Sequence, residues 1–375
     1  MSEAPEVLIA AASGRALAAS ARRAGYAPLV VDFFADDDTR AVAKACVRLE
    51  GGAQRGFQAD ALLAACEQIA GSAQLAGFVY GSGFEDRPAI LDAVERRWRL
   101  LGNRAEVVLR LKDPLAFAAL CRDCAAPHPQ TSLERPDDLP RWLARQRGGS
   151  GGGHIRAAHD DPAADAQTYY QKRVAGRPVS ALILADGARC SIVGFSDQWA
   201  SPTLGRPFRY GGAVRPAALA PTMAQSLTSA VRRLVSRAPL VGLNSMDFVV
   251  SDDQFWLLEV NPRPGATLDI FESENTLDDA LFAQHVAACN GELLPPLREG
   301  GARAAAIVRA DCDVISSPRM EWPIWAKDRQ PAGSFVGKGE PFCTVLAEGA
   351  NAAEAMRLLN ERSASVRLSI RMRAA

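Results

Sequence analysis

The chain has 375 residues, enough for two or three domains with substantial cores. Its 43 basic and 43 acidic residues balance to a formal net charge of zero, which excludes a general nucleic-acid binder relying on a basic surface. Apolar content of 48% and charged content of 23% are those of an ordinary soluble globular protein, and no apolar run approaches the roughly 18 residues of a membrane span.

Eight scattered cysteines fit a reducing compartment with free thiols. The start Met1-Ser2-Glu3-Ala4-Pro5-Glu6 carries acid where a signal peptide carries base, so a cytoplasmic location is expected. Residues 7–12 read as a buried strand, followed by Ser13-Gly14-Arg15, an Ala-rich helix to about Ala24 and a second strand at 29–32. This is a βαβ unit, and right-handed crossover makes its strands parallel. Ser13-Gly14 at the helix start suits a phosphate, but no G-x-G-x-x-G accompanies it. Asp36-Asp37-Asp38 reads as a solvated loop rather than a metal cluster, because adjacent side chains point apart. A helix at 59–70 precedes a strand at 77–80, and Gly81-Ser82-Gly83-Phe84-Glu85 follows at the strand's carboxyl end, where open α/β sheets bind ligands. Amides there suit an acid group, with Glu85 or Arg87 at the ligand's other end; a plain glycine loop before the helix at 88–97 is the alternative.

Lys112-Asp113-Pro114 opens a helix at 114–124 with Pro in its first turn. Cys121 and Cys124, with His128 beyond, have metal-knuckle spacing, but no second Cys pair follows; two thiols one helical turn apart is the plainer reading. A basic strand at 142–147 leads into Gly148-Gly149-Ser150-Gly151-Gly152-Gly153, whose exposed N–H groups can fold over polyphosphate. Such a run also suits a linker, but strand patterns flank it closely, which makes it a flap. No Gly-Lys-Ser/Thr follows, so it is not a Walker A loop. Residues 169–180 form a strand and a turn, and 179–185 pairs with 189–195 around Asp186-Gly187. Between that hairpin and a helix at 221–236 lie residues 196–199 and the loop 205–212. In the second, Arg206 and Arg209 suit a phosphate or carboxylate clamp, or a mobile surface loop.

Residues 244–250 and 255–260 read as strands joined by the polar turn Ser251-Asp252-Asp253. Glu259 and Asn261, two apart, point to one face, and the hairpin brings Asp247 beside Glu259. Three oxygen-bearing side chains then converge as a hard cation such as Mg²⁺ requires, unless this is an ordinary hairpin with a surface carboxylate. Residues 268–272 start a helix whose first turn faces the same place. Short strands at 304–308, 312–315 and 342–347 and a helix at 352–362 complete the chain.

Asp247-Phe248, then Leu258-Glu259-Val260-Asn261-Pro262-Arg263, resembles the metal-binding hairpin of the ATP-grasp superfamily of carboxylate–amine ligases and biotin-carboxylase-like enzymes. The glycine flap and the 169–180 segment fall in that family's order. The resemblance implies an α/β fold class: a parallel-sheet pre-ATP-grasp domain (1–107), an ATP-grasp lid (108–180), a catalytic half (181–298) and a small β-rich C-terminal domain (299–375). The last rests on Gly333-Ser334, Gly339-Glu340-Pro341 and the strand that follows. Asp247, Glu259 and Asn261 are implied ligands of Mg²⁺ or Mn²⁺. Lys112 and Arg145 match the two phosphate-binding lysines, and Arg in place of the second Lys is a departure, since a guanidinium fork differs from a point charge. Gly149, Ser150, Gly151 and Gly152 are implied to hold ATP phosphates. Gln171, Lys172 and Val174 surround adenine, the latter two through the main chain. Arg263 and Arg145 act on the transferred phosphoryl. The acid often found after the hinge glycine is replaced by Arg177-Pro178, so no ribose contact is carried over.

The implied reaction is ADP-forming ligation of a small-molecule carboxylate and amine through an acyl phosphate, without nucleic acid or membrane; a homodimer is allowed. The chain is also similar to ATP-grasp proteins encoded with tetrahydromethanopterin-linked one-carbon genes of methylotrophic bacteria, which implies cofactor biosynthesis. Two alternatives stand. One is bicarbonate activation of the biotin-carboxylase type, against which the chain lacks a Met-Lys-Met biotin-attachment site. The other is a non-catalytic nucleotide-binding partner, suggested by Arg145; retention of all three metal-ligand types argues against it.

Overall fold

The computed structural model describes residues 4–161, 165–272, 280–295, 300–316 and 320–374. Four parallel strands, β1 (Glu6–Ala10), β2 (Ala27–Asp32), β3 (Ala45–Arg48) and β4 (Leu75–Tyr80), form the first sheet in the order β3-β2-β1-β4. Apolar side chains fill both faces of β1 and β2, as parallel strands covered by helices require. The chain leaves β1 toward β2 on one side and returns with β4 on the other. The carboxyl ends of β1 and β4 therefore flank a topological switch point, which places Ala11–Arg15 and Gly81–Glu85 on one crevice.

The Asp36-Asp37-Asp38 stretch is not a solvated loop. Asp37–Val42 is a short helix, and Asp36 and Asp38 are 1% and 6% exposed. Asp38 accepts the N–H groups of Asp328 and Arg329, both at 2.9 Å, so a segment nearly three hundred residues later covers it. Burial, with the nearby charges of Asp328, Asp32 and Asp38, pushes the Asp36 carboxyl up to about 9.

The lid is an antiparallel sheet of β5 (Thr131–Ser132), β6 (Trp142–Gln146), β7 (Ile155–Ala157) and β8 (Thr168–Lys172), ordered β5-β8-β6-β7 over a small core of Trp142, Ala144, Ala158 and Tyr170. The remaining strands are β9 (Arg177–Asp186), β10 (Cys190–Ala200), β11 (Tyr210–Arg215), β12 (Val241–Val250), β13 (Phe255–Asn261), β14 (Ala302–Arg309), β15 (Val314–Ile315), β16 (Ala326–Lys327), β17 (Phe335–Val336) and β18 (Pro341–Gly349). Eight of them make one sheet, β13-β12-β9-β10-β11-β14-β18-β16. Residues 196–199 extend β10, and 210–212, expected within a loop, begin β11 because the two strands pair. The closing helix runs Ala352–Ala374, well past 362. Helix Ala105–Lys112 spans the expected 107/108 domain boundary, and the 298/299 boundary falls outside the described residues.

Both faces of the large sheet are covered. On β9, Val179, Ala181, Ile183 and Ala185 join the core under helix Pro221–Val235, while Leu182 and Leu184 pack with Leu17, Leu281 and Phe282. Each fully buried Leu or Ile contributes roughly 1.5–3 kcal/mol, so this two-sided burial locks the sheet between the N-terminal region and the helix layer.

His285, 1% exposed, joins these layers. Its Nδ1 accepts the Leu243 N–H at 2.9 Å, so Nε2 carries the proton and donates to the Leu101 carbonyl at 3.1 Å. Burial holds it down at about 4. The unfolded chain, titrating near 6.5, therefore takes up the proton first. Stability is full above about pH 6.5 and falls by up to roughly 3 kcal/mol as pH drops toward 4. Urea midpoints should decline on acidification from pH 6.5 to 4.5 more steeply in the native chain than in His285→Gln; parallel declines would remove His285 as the cause.

Candidate active site

The site is built on β12 and β13. Their register sets Asp247 opposite Glu259 and Ser245 opposite Asn261, so the three oxygen-bearing side chains meet as their spacing predicts. Asn261 Nδ2 donates to Asp247 Oδ2 at 3.0 Å and lies 3.4 Å from Glu259 Oε1. Two cations arrive from elsewhere. Lys112, in the last turn of helix Ala105–Lys112, donates to Asn261 Oδ1 at 2.9 Å. Arg145, on β6 and 3% exposed, pairs with Glu259 Oε2 at 2.5 Å and donates to Gln171 Oε1 at 2.6 Å.

Electrostatics divide the two carboxylates. Burial alone would raise Glu259, but Lys112 and Arg145 outweigh it and hold the group down at about 2. Burial and the charge of Glu259 push Asp247 up to about 6. Two carboxylates and a carboxamide on rigid paired strands are an all-oxygen donor set, which fits a hard divalent cation and not a soft one. Cys121 and Cys124 are buried free thiols, and His128 Nδ1 lies 2.7 Å from the Leu257 carbonyl.

The glycine run is a flap between β6 and β7. Gly151 and Gly152 have φ of +66° and +71°, which side-chain-bearing residues rarely adopt. Tyr210 N donates to Gly151 O at 2.9 Å, and Gly152 rests against the Phe208 carbonyl with no room for a Cβ. The loop before β11 and the first residue of that strand thus receive the tip of the flap. Arg209 in that loop is buried, donating from Nε to Ser201 O at 3.1 Å and from Nη1 to Gly339 O at 3.0 Å. His154 packs on Gly149; burial lowers it to about 4 and keeps its imidazole neutral.

A cavity of about 1190 Å³ lies among flap, hairpin and N-terminal crevice. Its lining includes Gln171, Lys172 and Val174, Ser150, Gly151 and Gly152 of the flap, and Asp247, Glu259, Asn261 and Arg263. Lys112 and Gly149 border a small adjoining recess with Glu259. The volume exceeds the upper end of common ligand sites, ~1000 Å³, so there is room for more than one substrate. The lining also includes residues with no local signal in the sequence: Arg15 in ion pairs with Asp269 (2.5 Å) and Asp328 (3.0 Å), Thr267 with a buried unpartnered hydroxyl, and Arg309 at the end of β14.

Glu85 and Arg87 do not stand ready for a ligand. Arg87 donates to the Phe57 carbonyl at 2.7 Å. Glu85, 4% exposed, accepts Arg263 Nε at 2.8 Å and the N–H groups of Gly83 and Phe84 at 2.7 and 3.0 Å. It therefore orients Arg263 from the N-terminal crevice. Removing one member of a buried ion pair costs roughly 3–5 kcal/mol. Glu85→Ala should lose stability in that range by urea unfolding, and Glu85→Leu combined with Arg263→Met should lose less than the sum of the single changes; strict additivity would deny the coupling.

Comparison with known proteins agrees with this geometry. Residues 113–267 match the model of the ATP-grasp domain. No curated protein sequence matches the chain. Among solved structures, the biotin carboxylase domain of 2-oxoglutarate carboxylase from Hydrogenobacter thermophilus, solved as a dimer with MgADP, ADP and bicarbonate, superposes with a TM-score of 0.74 at 12% identity over 96% of this chain and 90% of its own. N5-carboxyaminoimidazole ribonucleotide synthetase, in complex with ADP, gives 0.67 at 13% identity over 97% of both chains. Pyruvate carboxylase from Rhizobium etli gives 0.72 at 15% identity over 96% of this chain, which spans 36% of that larger one. No helix among the described residues is long and apolar enough to cross a membrane. Residues 113–267 thus match the ATP-grasp domain model, within a fold shared with biotin carboxylase and N5-carboxyaminoimidazole ribonucleotide synthetase.

Proposed function

We propose that the protein is an ATP-dependent ligase that joins a small-molecule carboxylate to an amine, releasing ADP and phosphate. The observation that carries this reading is the convergence of Asp247, Glu259 and Asn261 with Lys112 and Arg145 beneath a glycine flap, in a cavity with room beyond a nucleotide. A carboxylate oxygen attacks the γ-phosphorus and ADP leaves; the amine nitrogen then adds to the acyl carbon, phosphate leaves, and the amine's proton passes to solvent. Mg²⁺ or Mn²⁺, held by Asp247, Glu259 and Asn261, neutralises phosphate charge when bound. Lys112, Arg145 and the amides from Gly149 to Gly152 hold the phosphates. Gln171, Lys172 and Val174 take the adenine end, and Arg263, oriented by Glu85, steadies the acyl phosphate. No protein nucleophile is needed, because alignment and charge neutralisation do the catalysis.

The proposed organisation follows the sequence boundaries: 1–107, 108–180, 181–298 and 299–375. The first acids to test are one-carbon cofactor precursors of the tetrahydromethanopterin type, with amino acids as amines, in a cytoplasmic setting. A second reading, bicarbonate activation, is supported by the likeness to a biotin carboxylase domain solved with bicarbonate.

ADP release with Mg²⁺ should be stimulated by one acid–amine pair in such a panel, and by bicarbonate with biotin on the second reading. Asp247→Asn and Glu259→Gln should each lower turnover about 100-fold or more, the usual scale for losing a group that stabilises transition-state charge. Arg145→Lys should retain activity. No turnover on any pair, together with nucleotide binding unchanged by Glu259→Gln, would abandon catalysis for a nucleotide-binding role.

A further inference from the structure

β14 presents Ala305, Ile307 and Arg309 on alternate positions of one face, and all three line the large cavity. Arg309 is poorly satisfied there. Its Nε is buried without an acceptor, and its Nη1 reaches the Gly339 carbonyl only at 3.5 Å. It forms no ion pair among the described residues. The same Gly339 oxygen accepts Arg209 Nη1 at 3.0 Å, so two guanidiniums crowd one carbonyl. Burial and the charge of Arg209 push Arg309 down to about 10; Glu340 opposes the shift and Arg206 adds to it. Like charges brought together and partly desolvated cost folding free energy unless an anion joins them. Paired guanidiniums are also the preferred receptors for carboxylate and phosphate.

On the ligase reading, the reacting carboxylate lies at the metal hairpin near Arg263. Arg309 stands apart from that group, on a different strand of the same cavity, among Phe208, Tyr210 and Ile307. We propose that Arg309, backed by Arg209, binds a second negatively charged group of the acid substrate, so that the substrate is a dianion: a dicarboxylate, or a carboxylate that also bears phosphate. The neighbouring apolar and aromatic wall then accommodates the carbon skeleton that joins the two charges. Arg209 is a positioning residue here, since its own donors serve Ser201 and Gly339.

The test is ligand-dependent thermal unfolding of the full chain at constant ionic strength, saturated with Mg²⁺ and a non-hydrolysable ATP analogue so that the nucleotide's phosphate subsites are filled. The probes are succinate, glutarate, adipate and 3-phosphopropionate, each diacid compared with its monomethyl ester. At least one dianion should bind about tenfold or more tighter than its singly charged counterpart, as expected for a charge-assisted bidentate contact. Preference for the phosphocarboxylate or for a diacid identifies the second group. Arg309→Gln should abolish the preference without weakening the analogue. Arg309→Lys, which keeps the charge and loses the fork, should reduce it, and serves alone if Arg309→Gln does not fold. Analogue binding without any dianion preference, or a preference that survives the change at Arg309, overturns the subsite. Failure to bind the analogue overturns the ligase reading and the subsite with it.

Discussion

Everything at this site depends on holding two carboxylates face to face on a buried hairpin. Like charges directly opposite on paired strands repel, and a half-buried setting strengthens the repulsion. Asp247 and Glu259 persist because Asn261 donates between them and because two cations are brought to the spot. The result is asymmetric. Glu259 is strongly ionised beside Arg145, while Asp247 carries the strain as a raised affinity for protons. On the proposed function, a divalent cation with phosphate would relieve the same strain.

The compensating cations come from separate parts of the fold, and this ties conformation to charge. Lys112 sits at the carboxyl end of its helix, where the helix dipole favours a cation. Arg145 belongs to the lid, so its ion pair with Glu259 ties the lid sheet to the hairpin of the large sheet. The flap tip is held in turn by Tyr210 N, and Gly148 lies against the backbone of Glu85 and Asp86. Glu85 holds Arg263. Flap, Arg263 and N-terminal crevice are therefore linked through short, specific contacts.

The bend after β13 is fixed from outside. Asn103 donates to Asn244 Oδ1 at 2.7 Å and to the Pro262 carbonyl at 2.9 Å, and the Tyr80 hydroxyl lies 3.0 Å from that carbonyl. These contacts, all buried, hold Arg263 at a set distance from the first sheet. The first sheet thus does more than cover the core; it positions a residue of the candidate site.

Local chemistry determined what was legible in the sequence. Strand alternation and a polar turn define the β12–β13 hairpin, a glycine-rich run between two strand patterns defines the flap, and apolar runs separated by a helix define the parallel unit. Each of these is written within a few residues. Tertiary structure alone decided that Asp36 and Asp38 are buried under a distant segment, that Glu85 serves Arg263 instead of a ligand, and that 196–199 is strand because β11 pairs with it. It also decided that Arg309, the last residue of an unremarkable strand, faces the cavity beside another arginine. A short run of residues encodes period and turn, but not the partner it meets across the fold. Which charge is paired and which is left open follows from packing between elements far apart in the chain.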